Sequence, residues 1–580
     1  MRKRLNFIMQ FNNKRNLFLI LFLVFLVVLV LSLPAFAPNY YGINPDDETK
    51  YIESGRLLLQ GQLREISWGP FLAILYAALY LITKSSPYWF FWSLTLGRVV
   101  LFGLLWLSIF RLAFRLSDLI HPGIIFGLML LSVASTEILQ NPSDALFATL
   151  YAFALENMIA FGQTKKTKYI RYTSLLLGLA ALTRNDGIPA FMIFLIVALI
   201  SGLRWKVKTT TLIASILLPY FLVLGSYFMI GGIVTGKYSL GTTQRLYQAF
   251  EQGQTIVTGS SFNNATQETR QLFGTPEENK TNVLLAISRN PSAFVIRIKA
   301  DLRAIPRLLQ IGYGHNVATL LILSLIGFIG MIRRKHYYFA CLLLSWPAFL
   351  FSYFLGFFQP VYLLQAYSVV IVTAAFGIDY LFCKQRNLKG KLFWISGISL
   401  CIITFAIARF TYGVVGVTLI AVGFLIEWLL EQYAGKSINP AAFSLMALLG
   451  LGLMIKEPYP FPTFNNISQS PQVQAIVFLE KTLPLNTNVL TGTQLPAVAA
   501  GMTSIDPYDI PGTITSQNEL FSWLHQNNVK AIFVDGALES HSDLWNLIDN
   551  SIGTYLQASF ESTTGSVQVL LVNNVPSTPQ

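Results

Sequence analysis

The sequence predicts an all-α polytopic membrane protein that ends in a small α/β domain. Three observations carry that prediction. Of the 580 residues, 53% are hydrophobic and only 12% are charged, against roughly a quarter charged in an average soluble protein. Apolar runs of about 17 to 25 residues, each enough for one helical crossing, recur along most of the length. The formal net charge of +13 sits mainly in short Lys/Arg clusters between apolar runs, as the positive-inside rule expects of cytoplasmic loops. The excess charge is therefore topological, and no nucleic-acid partner is expected. Cys341, Cys383 and Cys401 lie in or at the ends of apolar runs without CxxC or metal-ligand spacing, and read as small buried hydrophobes.

The first element is the apolar run from Leu17 to about Leu33. Basic residues before it and small residues after it are compatible with a signal peptide, but the run is longer than a typical signal h-region, so an uncleaved first crossing is the reading adopted. Arg2, Lys3, Arg4, Lys14 and Arg15 hold the N-terminus in the cytoplasm and send Pro38 onward to the far side. Between Trp68 and Phe110 two apolar runs are split by "TKSSP". Counting both as crossings would invert every later basic loop, so Trp68 to Ile82 reads as a segment at the outer interface and Tyr88 to Phe110 as the second crossing. The clusters at Arg111/Arg115, Lys165–Arg171, Arg204–Lys208, Arg333–Lys335, Lys384–Lys391 and Lys436 then all face the cytoplasm. This parity gives about 13 crossings, a multi-pass protein of the plasma (inner) membrane, and an outside C-terminus. It implies a transmembrane domain over 1–456, with a first outer loop at 38–87 and a long outer loop at 232–316, followed by an extracytoplasmic domain over 457–580.

That last domain reads as α/β. "QVQAIVFLEKTLP" is an amphipathic helix, "NVLTG" a strand, "SQNELFSWLHQNN" a helix with a Ser N-cap, and "VKAIFVDG" and "VQVLLV" strands. It has no Gly-rich phosphate loop and only scattered His, and reads as a lid or docking module. No internal repeat or low-complexity tract is evident.

The chemistry-bearing segment is "NPDDETKYIESGRLLLQG", Asn44 to Gly61, which follows the first crossing. Glu48 to Leu59 can form a helix with Tyr51, Ser54/Gly55 and Leu58 on one face. Asp46, Asp47 and Glu48 then stand at its N-terminus, where the helix dipole favours negative charge. The alternative is catalysis: a carboxylate beside like charges at the membrane boundary has a raised pKa and can take a proton from an acceptor hydroxyl. A carboxylate pair could also hold a divalent cation. Composition and position leave both readings open.

"DETKYIE", Asp47 to Glu53, resembles the Asp-Glu-x-x-Tyr signature in the first outer loop of polyprenyl-phosphate-sugar-dependent glycosyltransferases of the C-type (GT-C) membrane fold, the group of the protein O-mannosyltransferases and the lipid A aminoarabinose transferases. The resemblance implies that Asp47 is the catalytic base with Glu48 beside it, and that Tyr51 and the additional carboxylate Asp46 belong to the same site. The interfacial first loop, long outer loop and α/β tail match the group's layout.

Further segments bear on the same reading. Asp144 in "QNPSDALFATLYAFAL" stands at the outer start of the fourth crossing, where the resemblance implies an acidic cavity residue; Ser143 or Asp144 could instead cap the helix. Arg184 and Asp186 in "GLAALTRNDGIP" resemble the Gly-Leu-Ala-x-Leu-Thr-Arg/Lys turn of the group. A charge in such a hairpin needs a partner, either Asp186 or a lipid phosphate, to which a guanidinium offers paired donors. Arg297, Lys299, Arg303 and Arg307 punctuate apolar residues, as in a helix lying on the membrane with its cations at headgroup level, or one that attracts an anionic lipid. His315 closes that loop.

Some residues depart from the group. Around Gln359 and Tyr362, where related enzymes carry an Arg-Tyr pair, the Arg is absent. The Lys-Pro step of the aminoarabinose transferases is replaced by "REISWGP", in which Arg64 is the available cation, and the Trp-Trp-Asp signature of oligosaccharyltransferase subunits is missing. The resemblance implies an inverting transfer of one sugar from a polyprenyl-phosphate donor to a lipid, glycan or protein acceptor outside the membrane, with no cofactor beyond a possible divalent cation. The rival class is a transporter or flippase of lipid-linked glycans. It predicts midplane charges and inverted repeats, of which the sequence has few and none respectively.

Overall fold

The computed structural model describes residues 47–62, 69–83, 87–116, 141–235, 242–259, 262–313, 317–343, 351–356, 362, 365–383, 470–511, 514–562 and 566–573. These form two compact units: 99–383 fall in one, and 47–98 together with 470–573 in the other. The expected first crossing and the basic loops after Cys383 lie outside the described residues.

In the second unit, α1 (Asp47–Leu59) and α2 (Pro70–Thr83) make up the first-loop segment, and α3 (Pro87–Arg115) begins there. The α2 helix has 14 residues, about 21 Å, too short to span a bilayer core. The described C-terminal residues of this unit form a five-stranded sheet of order β2-β1-β3-β5-β4, with β1 (Asn488–Thr491), β2 (Thr503–Ile505), β3 (Val529–Val534), β4 (Leu556–Glu561) and β5 (Gln568–Val572). Strands β2, β1 and β3 run parallel, while β5 and β4 are antiparallel. Three strands and two helices coincide with the sequence reading. The helix Gln517–Gln526 starts in a complete capping box: the Ser516 hydroxyl accepts from the Glu519 N–H while the Glu519 carboxylate accepts from the Ser516 N–H. The sequence reading missed β2, which has only three residues, and β4, an edge strand bulged between Ala558 and Phe560 whose alternation "LQASFE" was a legible strand signal.

The first unit is helical. In order come α4 (Pro142–Thr164), α5 (Thr167–Thr183), α6 (Gly187–Arg204) and α7 (Thr209–Thr235); then α8 (Thr242–Gln252), α9 (Thr255–Thr258), α10 (Phe262–Phe273), α11 (Val283–Arg289) and α12 (Pro291–Tyr313) of the long loop; then α13 (Val317–Arg333), α14 (Tyr337–Leu343) and α15 (Tyr367–Cys383). Among the described residues, Pro142–Thr164, Gly187–Arg204 and Thr209–Ile233 are long and apolar enough to cross a membrane. The expected total of about 13 crossings extends over residues outside the described set. Aromatic contacts lock these helices: Tyr151 meets Phe194 edge-on at 5.7 Å, and Phe161 meets Trp205 at 5.4 Å.

Charge is segregated along these helices. The turns α4–α5 and α6–α7 carry Lys165, Lys166 and Lys168, and Arg204, Lys206 and Lys208. Lys165 and Lys206 take left-handed backbone (φ 60° and 56°), and the Lys165 ammonium stands 3.1 Å from the Trp205 ring centroid. Between these turns α5 runs 17 residues, about 25 Å, to the Arg184 turn at its other end.

Candidate active site

Each unit holds a cluster of charged side chains enclosed by its helices. In the 34–98 and 461–580 unit, α1 turns Glu48, Thr49, Tyr51 and Ile52 inward, all 4% exposed or less. The helix pattern expected for Tyr51 and Gly55 is present: both are buried. α2 contributes Tyr76 and Tyr80, and α3 contributes Arg98, each at most 5% exposed. Glu48, Tyr76 and Arg98 lie within electrostatic reach of one another, as do Tyr51 and Tyr80 with Tyr76. Burial and then the Glu48 charge push the Tyr76 phenol well above its ordinary range, so it stays a neutral donor. A buried guanidinium in an apolar helix requires a carboxylate nearby, and Glu48 supplies that charge. Position 47 opens the same helix, and about 100° of helical rotation separates it from position 48. Asp46, Arg64, His315 and Gln359 lie outside the described residues, as does the Asp47 side chain.

The second cluster joins three residues singled out from sequence. Arg184 follows α5, Asp186 precedes α6, and Asp144 lies in the first turn of α4. Arg184 Nη1 contacts Asp144 at 3.0 Å, and Arg184 Nε contacts Asp186 at 3.2 Å. Its Nη1 also reaches Ser143 Oγ at 3.5 Å. Neither Ser143 nor Asp144 is the N-cap; Asn141 occupies that place, and its side chain does not cap the helix. Gln365 closes the network: its Nε2 donates to Asp144 Oδ1 at 2.6 Å and to Asp186 Oδ2 at 3.5 Å, while its Oε1 accepts from the Tyr353 hydroxyl at 3.0 Å. Tyr353 stacks on Tyr362, whose ring lies 5.0 Å from the Arg184 guanidinium. Burial works against the Arg184 charge, but Asp144 and then Asp186 outweigh it and hold the group charged well beyond its ordinary range. Two carboxylates against one guanidinium leave the cluster one negative charge in excess.

The α12 helix departs from the surface arrangement expected of it. Lys299, Arg303 and Arg307 are exposed, whereas Arg297 is fully buried and donates from Nη1 to the Phe250 carbonyl at 2.6 Å. Asp301, one turn on, is equally buried. Helical phase explains the split, since 297 and 301 share an inward face that 299 and 303 do not. Among the described residues no three His, Cys, Asp or Glu side chains gather as a metal site.

Sequence reading missed Arg98, Gln365 and Tyr353. Arg98 was findable, as a lone Arg inside the run Tyr88 to Phe110. Gln365 and Tyr353 carry no such mark.

The sequence matches no protein-family model and no curated protein. Among solved structures, the chain is similar to ArnT from Cupriavidus metallidurans bound to undecaprenyl phosphate, with 12% identity, a TM-score of 0.52, and coverage of 96% of this chain and 99% of that one. It is also matched to the archaeal oligosaccharyltransferase AglB from Archaeoglobus fulgidus in complex with an inhibitory peptide and a dolichol-phosphate, with 14% identity, a TM-score of 0.49, and coverage of 98% and 75%. The first likeness runs essentially end to end in both chains and establishes the architecture: this protein has the C-type membrane glycosyltransferase fold.

Proposed function

We propose that the protein is an integral-membrane glycosyltransferase that moves one sugar from a polyprenyl-phosphate carrier to an acceptor on the extracytoplasmic side, with inversion at the anomeric carbon. The observation that carries this reading is the end-to-end fold likeness to a protein bound to undecaprenyl phosphate, in a chain whose first-loop helix opens with Asp47 and Glu48. Asp47 takes the proton of the acceptor hydroxyl; the freed oxygen attacks the anomeric carbon; the bond from that carbon to the carrier's phosphate oxygen breaks, and the lipid phosphate leaves with the electron pair. Glu48 is fully buried within electrostatic reach of Arg98, so in this reading it steadies the helix start electrostatically and Asp47 does the proton transfer.

The Asp144–Arg184–Asp186 cluster is assigned to substrate hydroxyls. Its guanidinium is already met by two carboxylates, and a net negative cluster repels phosphate while accepting hydrogen bonds from a neutral or cationic sugar. The Arg184 turn lies at the end of α5 opposite the basic Lys165 turn, which by the positive-inside rule favours an outer location. In the same reading Asp46, Arg64 and His315 belong to the substrate-binding residues, with Arg64 or His315 stabilising the developing phosphate charge, and a divalent cation at the first-loop carboxylates is compatible with their oxygen chemistry.

The test is transfer by the purified full-length protein from undecaprenyl-phosphate-linked glucose, mannose, galactose and arabinose to envelope lipid, glycan and protein acceptors, with product anomers read by NMR. A product of opposite anomeric configuration to the donor is expected. Absence of transfer, combined with movement of lipid-linked sugar across proteoliposomes, would replace the enzyme by a flippase.

A further inference from the structure

The C-terminal α/β domain holds the candidate catalytic helix directly. α16 (Gln494–Ala499), a six-residue helix preceding β2, ends in a Schellman turn: the Met502 N–H donates to the Ala497 carbonyl at 2.9 Å, and the Gly501 N–H to the Val498 carbonyl at 3.0 Å. Gly501 takes the left-handed backbone (φ +79°) this turn needs. Arg56 of α1 reaches across to that turn, donating from Nη2 to the Met502 carbonyl at 3.2 Å and from Nη1 to the Val498 carbonyl at 3.5 Å. A cation at a helix C-terminus meets both its unsatisfied carbonyls and the negative end of its dipole. Val498 and Met502 are at most 1% exposed, and Met502 leads straight into β2, so the anchor is the sheet rather than a loose loop.

The adjacent residue fixes the other side of α1. A Cβ on Gly55 would stand 2.7 Å from Tyr76 Cβ and 2.9 Å from both the Ala73 carbonyl and the Ala77 nitrogen, so α1 lies backbone-close on α2 there. Gly55 and Arg56 thus clamp one end of a helix whose other end bears Asp47 and Glu48. Nine residues separate Arg56 from Asp47, about 13 Å of rigid rod, so a 10° swing at the clamp moves the carboxylate end by about 2 Å. Misplacement of about 1 Å at a reacting group can cost about 100-fold in rate.

We propose that Arg56 is a positioning residue and that the C-terminal domain, through the carbonyls of Val498 and Met502, sets the aim of the first-loop carboxylates. This rests on the transferase reading above. The domain is accordingly part of the catalytic scaffold and not a detachable lid.

The test compares wild type, Arg56→Gln, Arg56→Lys, Gly501→Ala and the Arg56→Gln/Gly501→Ala double variant as full-length protein in nanodiscs, with undecaprenyl-phosphate mannose or whichever of the four panel donors wild type uses. Gly501→Ala disturbs the contact from the domain side, through the left-handed backbone and Leu485, 2.7 Å from a Cβ there. Arg56→Gln should lower kcat at least 10-fold with donor KM within 2-fold of wild type. Arg56→Lys should recover part of that loss, and the double variant should be no worse than the poorer single. Amide exchange over 48–58 should quicken in Arg56→Gln while that over β3 stays at the wild-type rate. Wild-type kcat in a folded Arg56→Gln, unchanged exchange over 48–58, or multiplicative losses in the double variant would overturn the proposal while leaving the transferase reading intact. Absence of wild-type transfer from all four donors would overturn both.

Discussion

Arg184, part-buried, and Arg297, fully buried, both stand beside aspartates, yet the chain treats them differently. Arg184 draws its carboxylates from separate elements, Asp144 on α4 and Asp186 before α6, and contacts both within 3.2 Å. Arg297 has its aspartate one turn along its own helix, and among the described residues the Asp301 oxygens and the Arg297 Nε and Nη2 make no hydrogen bond. Tertiary pairing can bring charged groups to contact geometry, whereas a shared helix fixes their spacing at one turn. The first arrangement is an over-determined network of charge and hydrogen bonds; the second is a buried carboxyl whose ionisation is opposed by burial and helped only by a neighbouring charge.

The largest effect that would break this comparison is Arg184→Ala, which leaves the buried Asp144 and the part-buried Asp186 without their shared cation and should cost about 3 kcal/mol, read as loss of folded protein in detergent or a lowered unfolding midpoint. A variant as stable as wild type would mean the pairing contributes nothing. Gln365→Leu removes the partner of both Asp144 and the Tyr353 hydroxyl, and should cost about 1–3 kcal/mol in the same assay. Asp301 gives a change of opposite sign. Burial lifts its carboxyl to about 7 against the pull of Arg297, so the folded chain retains a proton that the unfolded chain loses near pH 4. The stability tied to this group is intact below about pH 4, declines as pH rises, and is lost above about 7. Asp301→Asn should therefore unfold with a flatter pH dependence and, at pH 8, be about 1–2 kcal/mol more stable than wild type; an unchanged pH profile would show that Asp301 ionises normally. At the bottom of the scale, the exposed pair of Arg289 and Glu278, 3.2 Å apart, should change stability by less than about 1 kcal/mol in Arg289→Ala and vanish at high salt.

Legibility in the sequence followed the same division between local and long-range order. The α1 helix, the capping box at Ser516 and three of the strands were readable because each depends on residues within a few positions of one another. Asp144, Arg184 and Asp186 were readable as charges in apolar surroundings, but their mutual contact was not: Arg184 could have met Asp186 alone or a phosphate, and only the packing of α4 against the α5–α6 turn decides that it meets both aspartates. Gln365 is 221 positions from Asp144, and nothing near it in the chain marks it as a partner. The contact of Arg56 with the α16 turn was equally hidden, since a last-turn Arg satisfies its own helix dipole in any sequence reading.

The central claim is that Asp47, and not its neighbour, removes the acceptor proton. It is tested most directly by single-turnover sugar transfer with Asp47→Asn and Glu48→Gln, each checked for donor binding by equilibrium titration with the undecaprenyl-phosphate sugar that wild type uses. The account predicts that Asp47→Asn retains donor binding within a few-fold and loses transfer by at least about 100-fold, whereas Glu48→Gln loses less transfer and more thermal stability. Transfer by Asp47→Asn at the wild-type rate would contradict it and reduce the acidic start of α1 to a helix cap.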